Sequence, residues 1–174
     1  MSENGNVYNH GSQGFMARAL AKADRGEDLF EALKLLLPCY QELHPTHLAM
    51  TAPYAITNCW QQLPGFHHRG MLSFLTGAVA MIMRGAYEWL CGVEPAIDAL
   101  EVSPAMPASF NQMKLNLNYK GKNLDFSFKR TGTASLKVNG EEIGACAPNE
   151  RYYKEFYILP DSMLKDNNII EVTL

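Results

Sequence analysis

The chain has 174 residues, of which 47% are hydrophobic and 19% charged, a composition typical of one ordinary globular domain or two small ones. Its net charge of −3 provides no positive field, so a nucleic-acid partner is not expected. Four dispersed cysteines without a C-x-x-C pair, and a start without a charged and then apolar leader, favour reduced thiols and a cytoplasmic location.

The first motif in chain order is "ENGNVYNHGSQGF", from Glu3 to Phe15. It combines an acid, glycines, amides, a tyrosine and His10, which is the mixture expected of a binding or catalytic loop. His10 is therefore a candidate site residue. The plainer alternative is a loop histidine whose hydrogen bonds are purely structural.

Helical periodicity follows this loop. Apolar residues recur at spacings of three and four from Met16 to Ala23 and again from Leu29 to Leu37. We expect Gly26 to end the first helix, the neighbouring acidic residues to begin the second, and Pro38 to stop it. The pattern predicts a hairpin of two helices.

The segment from Leu43 to Gly70 is interrupted by prolines and glycines, which predicts a long irregular connection with one short extended piece in "YAITNCW". His44 and His47 lie three residues apart, but the turn residues between them and the lack of further spaced ligands argue against a metal site. The run "HHRG", at 67–70, is interpreted as a solvated cationic corner.

The most apolar run, from Met71 to Leu90, is about as long as a membrane span. Arg84 and Glu88 fall inside it, so we interpret it as a helix enclosed by other helices and expect no membrane partner.

Thr76 and Gly77 lie near the start of this predicted helix. A hydroxyl donor beside an unshielded N–H at a helix start resembles half of an anion site. The alternative remains open that Thr76 only caps the helix and Gly77 only permits close packing.

After Pro95 the hydrophobic period changes to two. Alternation over Met113–Tyr119 and Leu124–Phe128 predicts one hairpin turning at Gly121, and the pair Asn139-Gly140 predicts a second. The strings "KEFYILP" and "NNIIEVTL" predict further strands. The fold class is thus α+β, with a helical first half and an antiparallel β-sandwich as the second.

Four stretches in order, "ENGNVYNHGSQG", "APYAITNCW", "FLTGAVAMIMRGAYEWLCGVEPAIDALEVSPAMP" and the β-rich tail, are similar to the C-terminal portion of the cellobiose and chitobiose phosphorylases. The most specific part runs from Leu75 to Pro107. The resemblance implies that residues 1–95 are the last helices of an (α/α)6 barrel and that residues 96–174 are the C-terminal β-sandwich.

In that family, an inverting glycoside phosphorylase family, phosphate is held by a loop histidine and by a Thr-Gly pair that opens a barrel helix. The resemblance carries these roles to His10, Thr76 and Gly77, and it implies that Glu3 and Asn58 contact the substrate. Two departures put the sugar specificity in doubt. Asn6 replaces a common second glycine, and Thr57-Asn58 stands where several members have a sugar-binding Gln.

The family's general acid is an Asp on an earlier barrel loop, so the resemblance implies no catalytic residue, metal or cofactor here, and a chain that is inactive alone. The implied partners are inorganic phosphate, a β-linked disaccharide or oligosaccharide, and either the upstream part of the same enzyme or further copies in a self-associated oligomer. The alternatives are a non-catalytic carbohydrate- or anion-binding fragment and a truncated, inactive remnant.

Overall fold

The computed structural model describes residues 2–3, 6–8, 14–35, 37, 56–61, 69–71, 76–150 and 152–174. The predictions for Pro38, for the histidines at 10, 44, 47, 67 and 68, and for most of the predicted irregular connection lie outside these residues.

Four short strands near the start of the chain form one antiparallel sheet in the order β1-β2-β3-β4. They are β1 (Ser2–Glu3), β2 (Asn6–Tyr8), β3 (Cys59–Gln61) and β4 (Arg69–Met71). The extended piece predicted within "YAITNCW" is confirmed as the start of β3. The "ENGNVY" motif, interpreted as part of a loop, instead contributes β1 and β2.

The predicted helical hairpin is confirmed as α1 (Phe15–Lys22) and α2 (Gly26–Lys34). The role assigned to Gly26 was wrong, because this residue begins α2 rather than ending α1. The left-handed turn after α1 is made by Asp24, with φ +56°. Gly26 is needed for a different reason: a Cβ there would lie 2.6 Å from the carbonyl oxygen of Ala105.

The third helix, α3 (Thr76–Arg84), begins five residues later than predicted, and Met71, the predicted first residue, pairs with Cys59 in the sheet instead. It continues into a π-helical segment, Gly85–Leu90, which the sequence pattern did not indicate. None of the helices in the described part of the chain is both long and apolar enough to cross a membrane.

Within the part of the chain that the structure describes, this run is covered only in part. Ile82, Gly85 and Trp89 are buried, whereas Val79 and Met83 are exposed. The π-helical segment packs on the hairpin, and a Cβ at Gly85 would lie 2.5 Å from the Leu33 side chain. The three described helices form this small cluster, and the barrel remains a prediction.

The C-terminal half contains two sheets. A three-stranded sheet, ordered β11-β6-β5, comprises β5 (Val93–Ala96), β6 (Ala99–Val102) and β11 (Tyr157–Pro160). A five-stranded sheet, ordered β10-β9-β12-β8-β7, comprises β7 (Gln112–Tyr119), β8 (Lys122–Lys129), β9 (Ser135–Val138), β10 (Glu141–Ile143) and β12 (Asn167–Thr173). Apolar side chains of both sheets share one buried cluster that includes Leu100, Leu159, Phe126 and Ile170.

Both predicted hairpins are confirmed. Lys120 and Gly121 connect β7 to β8, and Asn139 and Gly140 connect β9 to β10. All four residues have positive φ, as two-residue turns matched to strand twist require. The expectation of purely antiparallel pairing was wrong at one place, because β12 lies parallel to β8 and antiparallel to β9.

The helical hairpin is joined to the β-rich half by polar and aromatic contacts. The Glu27 carboxylate accepts hydrogen bonds from the backbone N–H of Ser109 at 3.3 Å and from its hydroxyl at 2.8 Å, and these bonds lower the pKa of Glu27. The rings of Phe30 and Phe110 meet edge to face, with centroids 4.9 Å apart. The two halves therefore share a specific interface rather than a bare linker.

Burial predicts unequal reactivity of two cysteines. Desolvation raises the pKa of Cys91 to about 11, so at pH 8 only about one thiol in a thousand is ionised, whereas Cys146 is partly exposed. We expect iodoacetamide to modify Cys91 roughly a hundredfold more slowly than Cys146, as measured by peptide mass spectrometry. In denaturant the two rates should converge. Equal rates in the folded chain would contradict the burial of Cys91.

Candidate functional site

The register of the four-stranded sheet brings three chain segments to one end. Tyr8 on β2 is paired with Cys59 on β3, and Cys59 is paired with Met71 on β4. Because neighbouring strands run in opposite directions, β2 and β4 both leave the sheet at this end and β3 enters it there. We call it the Cys59 end of the sheet.

Two of the predicted phosphate ligands begin α3, and the third lies outside the described residues. Thr76 is the first residue of α3, five residues after β4 ends, and Gly77 is the second. The structure describes the backbone of Thr76 but not its side chain. His10 follows Tyr8, the last residue of β2, by two positions.

The backbone N–H groups of the first turn of a helix have no intrahelical partner and carry the positive end of the helix dipole. Gly77 is exposed, and a Cβ built on it would have no atom within 4 Å in the described part of the chain. In the described part of the chain, no neighbouring atom supports the alternative that Gly77 is there to allow close packing. Among the described residues, none packs against the Cα of Gly77 at the start of α3.

The structure separates the two predicted substrate residues. Asn58 immediately precedes β3 at the Cys59 end, and both Asn58 and Thr57 are buried. Glu3 pairs with Asn6, which in turn pairs with Gln61 at the opposite end of β3. Asn58 and Gln61 are three residues apart on one strand, at about 3.4 Å per residue. Measured along the strand direction, Glu3 and Asn58 are therefore roughly 10 Å apart.

Burial at the Cys59 end has an electrostatic consequence. Cys59 is almost fully buried, and this desolvation raises the pKa of its thiol. The thiol is therefore neutral at physiological pH, and it contributes no negative charge that would repel an anion.

Sequence reasoning missed the π-helical segment that follows α3. Within it, Tyr87 is exposed, and the Glu88 carboxylate accepts a hydrogen bond from Nε of Arg84 at 2.7 Å. This bond raises the pKa of Arg84. Insertions of π-helix are frequent at functional sites, and the apolar run around Gly85 gives no sign of one because its composition suits an α-helix equally well.

A second feature that the sequence did not indicate is a cleft of about 580 Å³ between the helical hairpin and the β-rich half. Side chains of both charges line the cleft, and several of them form ion pairs with one another. Lys154 contacts Asp24, and the Arg25 guanidinium lies 2.7 Å from the Asp28 carboxylate. In the parts of the chain that the structure describes, no group of three or more His, Cys, Asp or Glu residues could hold a metal ion.

Comparison with known proteins gives a distant relation. No protein-family model matches the chain. It is similar to a cellobionic acid phosphorylase from Neurospora crassa, with 25% identity over 146 residues that make up 82% of this chain and 18% of that protein. It is also similar to an N,N'-diacetylchitobiose phosphorylase from Vibrio furnissii, with 25% identity over 154 residues, or 83% of this chain and 19% of that protein.

The chain thus spans about a fifth of the length of these curated relatives. Both are carbohydrate phosphorylases, and both likenesses cover more than four fifths of this chain. They support a relation to the carbohydrate phosphorylases at the level of the family, which agrees with the resemblance of the sequence motifs.

Proposed function

We propose that this chain is the phosphate-binding, C-terminal part of a β-glycoside phosphorylase. Residues 1–95 would supply the last helices of the catalytic barrel, and residues 96–174 a supporting β-sandwich. The two relatives are named as phosphorylases of cellobionic acid and of N,N'-diacetylchitobiose, which supports the proposed β-linked disaccharide or oligosaccharide as substrate. The proposed location is the cytoplasm, because four dispersed cysteines suit a reducing compartment.

The observation that carries the proposal is the register at the Cys59 end of the sheet. Tyr8 pairs with Cys59, and Cys59 pairs with Met71. The segment that leads to His10 and the segment that leads to Thr76 therefore leave the sheet at the same end. Tyr8 and Met71 lie two strand spacings apart, or about 10 Å. His10 follows Tyr8 by two residues, and Thr76 follows Met71 by five, which can span at most about 18 Å. The proposal requires both segments to turn back over this end of the sheet.

The donors proposed for this site suit a phosphate dianion. An imidazolium, a hydroxyl and a backbone N–H at a helix start each donate a hydrogen bond, and the helix dipole adds positive potential. We propose that His10, Thr76 and Gly77 hold phosphate in this way and that Asn58 orients the sugar nearest to it. Glu3, at the other end of β3, would contact a more distant part of the substrate.

Phosphorolysis needs one bond made and one broken. An oxygen of the bound phosphate forms a bond to the anomeric carbon, and the glycosidic C–O bond on the opposite face breaks. The leaving oxygen takes a proton from a general acid, and a second catalytic carboxylate is unnecessary because phosphate itself is the nucleophile. In this proposal the acid comes from polypeptide outside this chain, which therefore has no activity alone.

Exposed apolar side chains on the helical part support the need for such a partner. Val79, Met83 and Tyr87 follow one another at intervals of four, which places them along one side of α3 and its π-helical continuation, and all three are exposed. In this proposal they pack against the upstream part of the enzyme or against a second copy.

Phosphate titration of the full chain tests the proposed site. We expect inorganic phosphate to bind with a dissociation constant on the order of 1 mM and Thr76→Val to weaken binding roughly tenfold, because a hydrogen bond to an anion contributes about 1.5 kcal/mol. Isothermal titration calorimetry measures both values, and His10→Ala should show a similar loss.

Thr133→Val is the matched control, since Thr133 is exposed in the β-rich half and far along the chain from the proposed ligands. It should bind phosphate as the parent does. The site is refuted if phosphate does not bind, or if the substitutions at 76, 10 and 133 have equal effects.

A further inference from the structure

The outer face of the five-stranded sheet has an arrangement that the proposed function does not use. Strand alternation turns Leu115, Leu124 and Phe126 towards the core and leaves the intervening side chains on the solvent side. Of the eight outward residues on β7 and β8, four are amides, one is a hydroxyl and three are charged.

A chain of amide hydrogen bonds crosses three strands on this face. Asn118 Nδ2 donates to Asn123 Oδ1 at 3.3 Å, and Asn123 Nδ2 donates to Asn167 Oδ1 at 2.9 Å. At the next outward-facing pair, two residue pairs along, Asn116 Nδ2 donates to the carboxylate of Asp125. These bonds fix the side-chain rotamers, so a ligand would meet donors and acceptors that are already ordered.

Beside this network lies a depression of about 440 Å³. Cross-strand pairs line it, among them Lys114 with Ser127 and Asn116 with Asp125. Ile169 of β12, opposite Asp125, also lines it and is 64% exposed. The depression therefore combines an apolar surface with a surrounding set of polar groups, which is the usual composition of a small-molecule site.

The charges around the depression balance. Lys114, Lys129 and Asp125 line it, and Glu171, Lys137 and Glu142 follow in register from Ser127 across the neighbouring strands. Together they make three positive and three negative charges. A phosphate, a nucleic acid or an acidic peptide would gain little net attraction here. A neutral ligand with many hydroxyl groups fits better, because each hydroxyl both donates and accepts a hydrogen bond.

We propose that this face of the sheet is a binding site for a neutral oligosaccharide. Asp125 and Asn116 bond adjacent hydroxyls, and the exposed side chain of Ile169 covers the C–H face of a sugar ring. Outward residues repeat about 7 Å apart along a strand and about 5 Å apart between strands, so the face is wide enough for more than one ring. The inference is independent of the phosphate site, which involves a different sheet.

Titration of the full chain with cellotetraose, and separately with N-acetylchitotetraose, tests the site. We expect chemical-shift changes in the amide resonances of β7, β8 and β12, with a dissociation constant on the order of 1 mM, as befits an open site. Asp125→Ala and Ile169→Ala should each weaken binding roughly fivefold to tenfold. Which of the two probes binds more tightly distinguishes glucose units from N-acetylglucosamine units.

Two matched controls separate the site from general surface effects. Asp166→Ala removes an exposed carboxylate just before β12, and Ile97→Ala removes a 93% exposed isoleucine in the β5–β6 turn. Both should bind as the parent does, and circular dichroism establishes that all four variants are folded. The proposal is overturned if neither probe binds, if the shifts map elsewhere, or if site and control variants lose affinity equally.

Discussion

Gly92→Ala is expected to lower the free energy of unfolding by about 4 kcal/mol, which is most of the roughly 5 kcal/mol that stabilises a marginally stable domain. Gly92 joins the π-helical segment to β5 with φ +65°, in the left-handed region that an L side chain adopts with strain of about 1–2 kcal/mol. A Cβ there would also lie 2.1 Å from the carbonyl carbon and oxygen of Ser103.

That contact cannot relax easily, because the clashing atoms belong to the backbone. The Ser103 N–H donates to the Gly92 carbonyl at 2.8 Å, and the Ala105 N–H donates to the Leu90 carbonyl at 3.1 Å. Moving Ser103 away would break the pairing that leads into β5 and β6. Urea denaturation followed by circular dichroism measures the loss.

Gly140→Ala is the matched control. Gly140 also has positive φ, at +86°, but a Cβ there meets no atom within 4 Å in the described structure. This variant should lose only the strain term, about 1 kcal/mol. If Gly92→Ala does not fold, Gly26→Ala is measured in its place. Gly26 lies in a helix, so this variant adds a clash with the Ala105 backbone without the strain of a positive φ. Equal losses at 92 and 140 would contradict the close approach to Ser103.

Lys22→Met is expected to lower the free energy of unfolding by about 2–3 kcal/mol. The Lys22 ammonium on α1 donates to Glu94 on β5 at 2.7 Å, and Glu94 is only 5% exposed. The same ammonium lies 3.7 Å from the ring centroid of Tyr152. Removing it deprives a buried carboxylate of this close partner, and the ion pair of Glu94 with the half-exposed Arg18 is longer, at 3.8 Å.

The same substitution at an exposed ion pair is the control for this result. Lys120 lies 2.6 Å from Asp161, but about half of its side chain is exposed, so Lys120→Met should change stability little. The effect of Lys22→Met should also shrink when Glu94→Gln is already present, since the buried charge is then gone. Thermal unfolding of the parent, of Lys22→Met, of Glu94→Gln and of the double variant measures this coupling. If Lys22→Met has the same effect in both backgrounds, Lys22 stabilises the fold only by packing.

The β-rich half was predictable from the sequence because its signals are local. Alternation over Met113–Tyr119 follows from the geometry of a strand with one wet face, and Asn139-Gly140 is suited to a turn with two positive φ values. The positions of α1 and α2 followed similarly from helical spacing. None of these depends on a distant part of the chain.

The candidate site was predictable only as a set of motifs. Resemblance to a family pointed to His10, Thr76 and Gly77, but no local pattern shows which residues share an end of a sheet. The pairing of Tyr8 with Cys59 joins segments more than fifty residues apart, and the same register separates Glu3 from Asn58.

Features that depend on contacts between distant parts of the chain were decided only by the tertiary structure. Gly26 was assigned to a helix end from its propensity, yet the lack of a Cβ matters there because Ala105 approaches across the interface. Met71, predicted to begin the third helix, instead pairs with Cys59 of β3. Pairing of β12 with β8 is parallel because the chain crosses back before β12 begins. Periodicity and turn chemistry act within a few residues, whereas strand pairing and close backbone approach form only when the chain is folded.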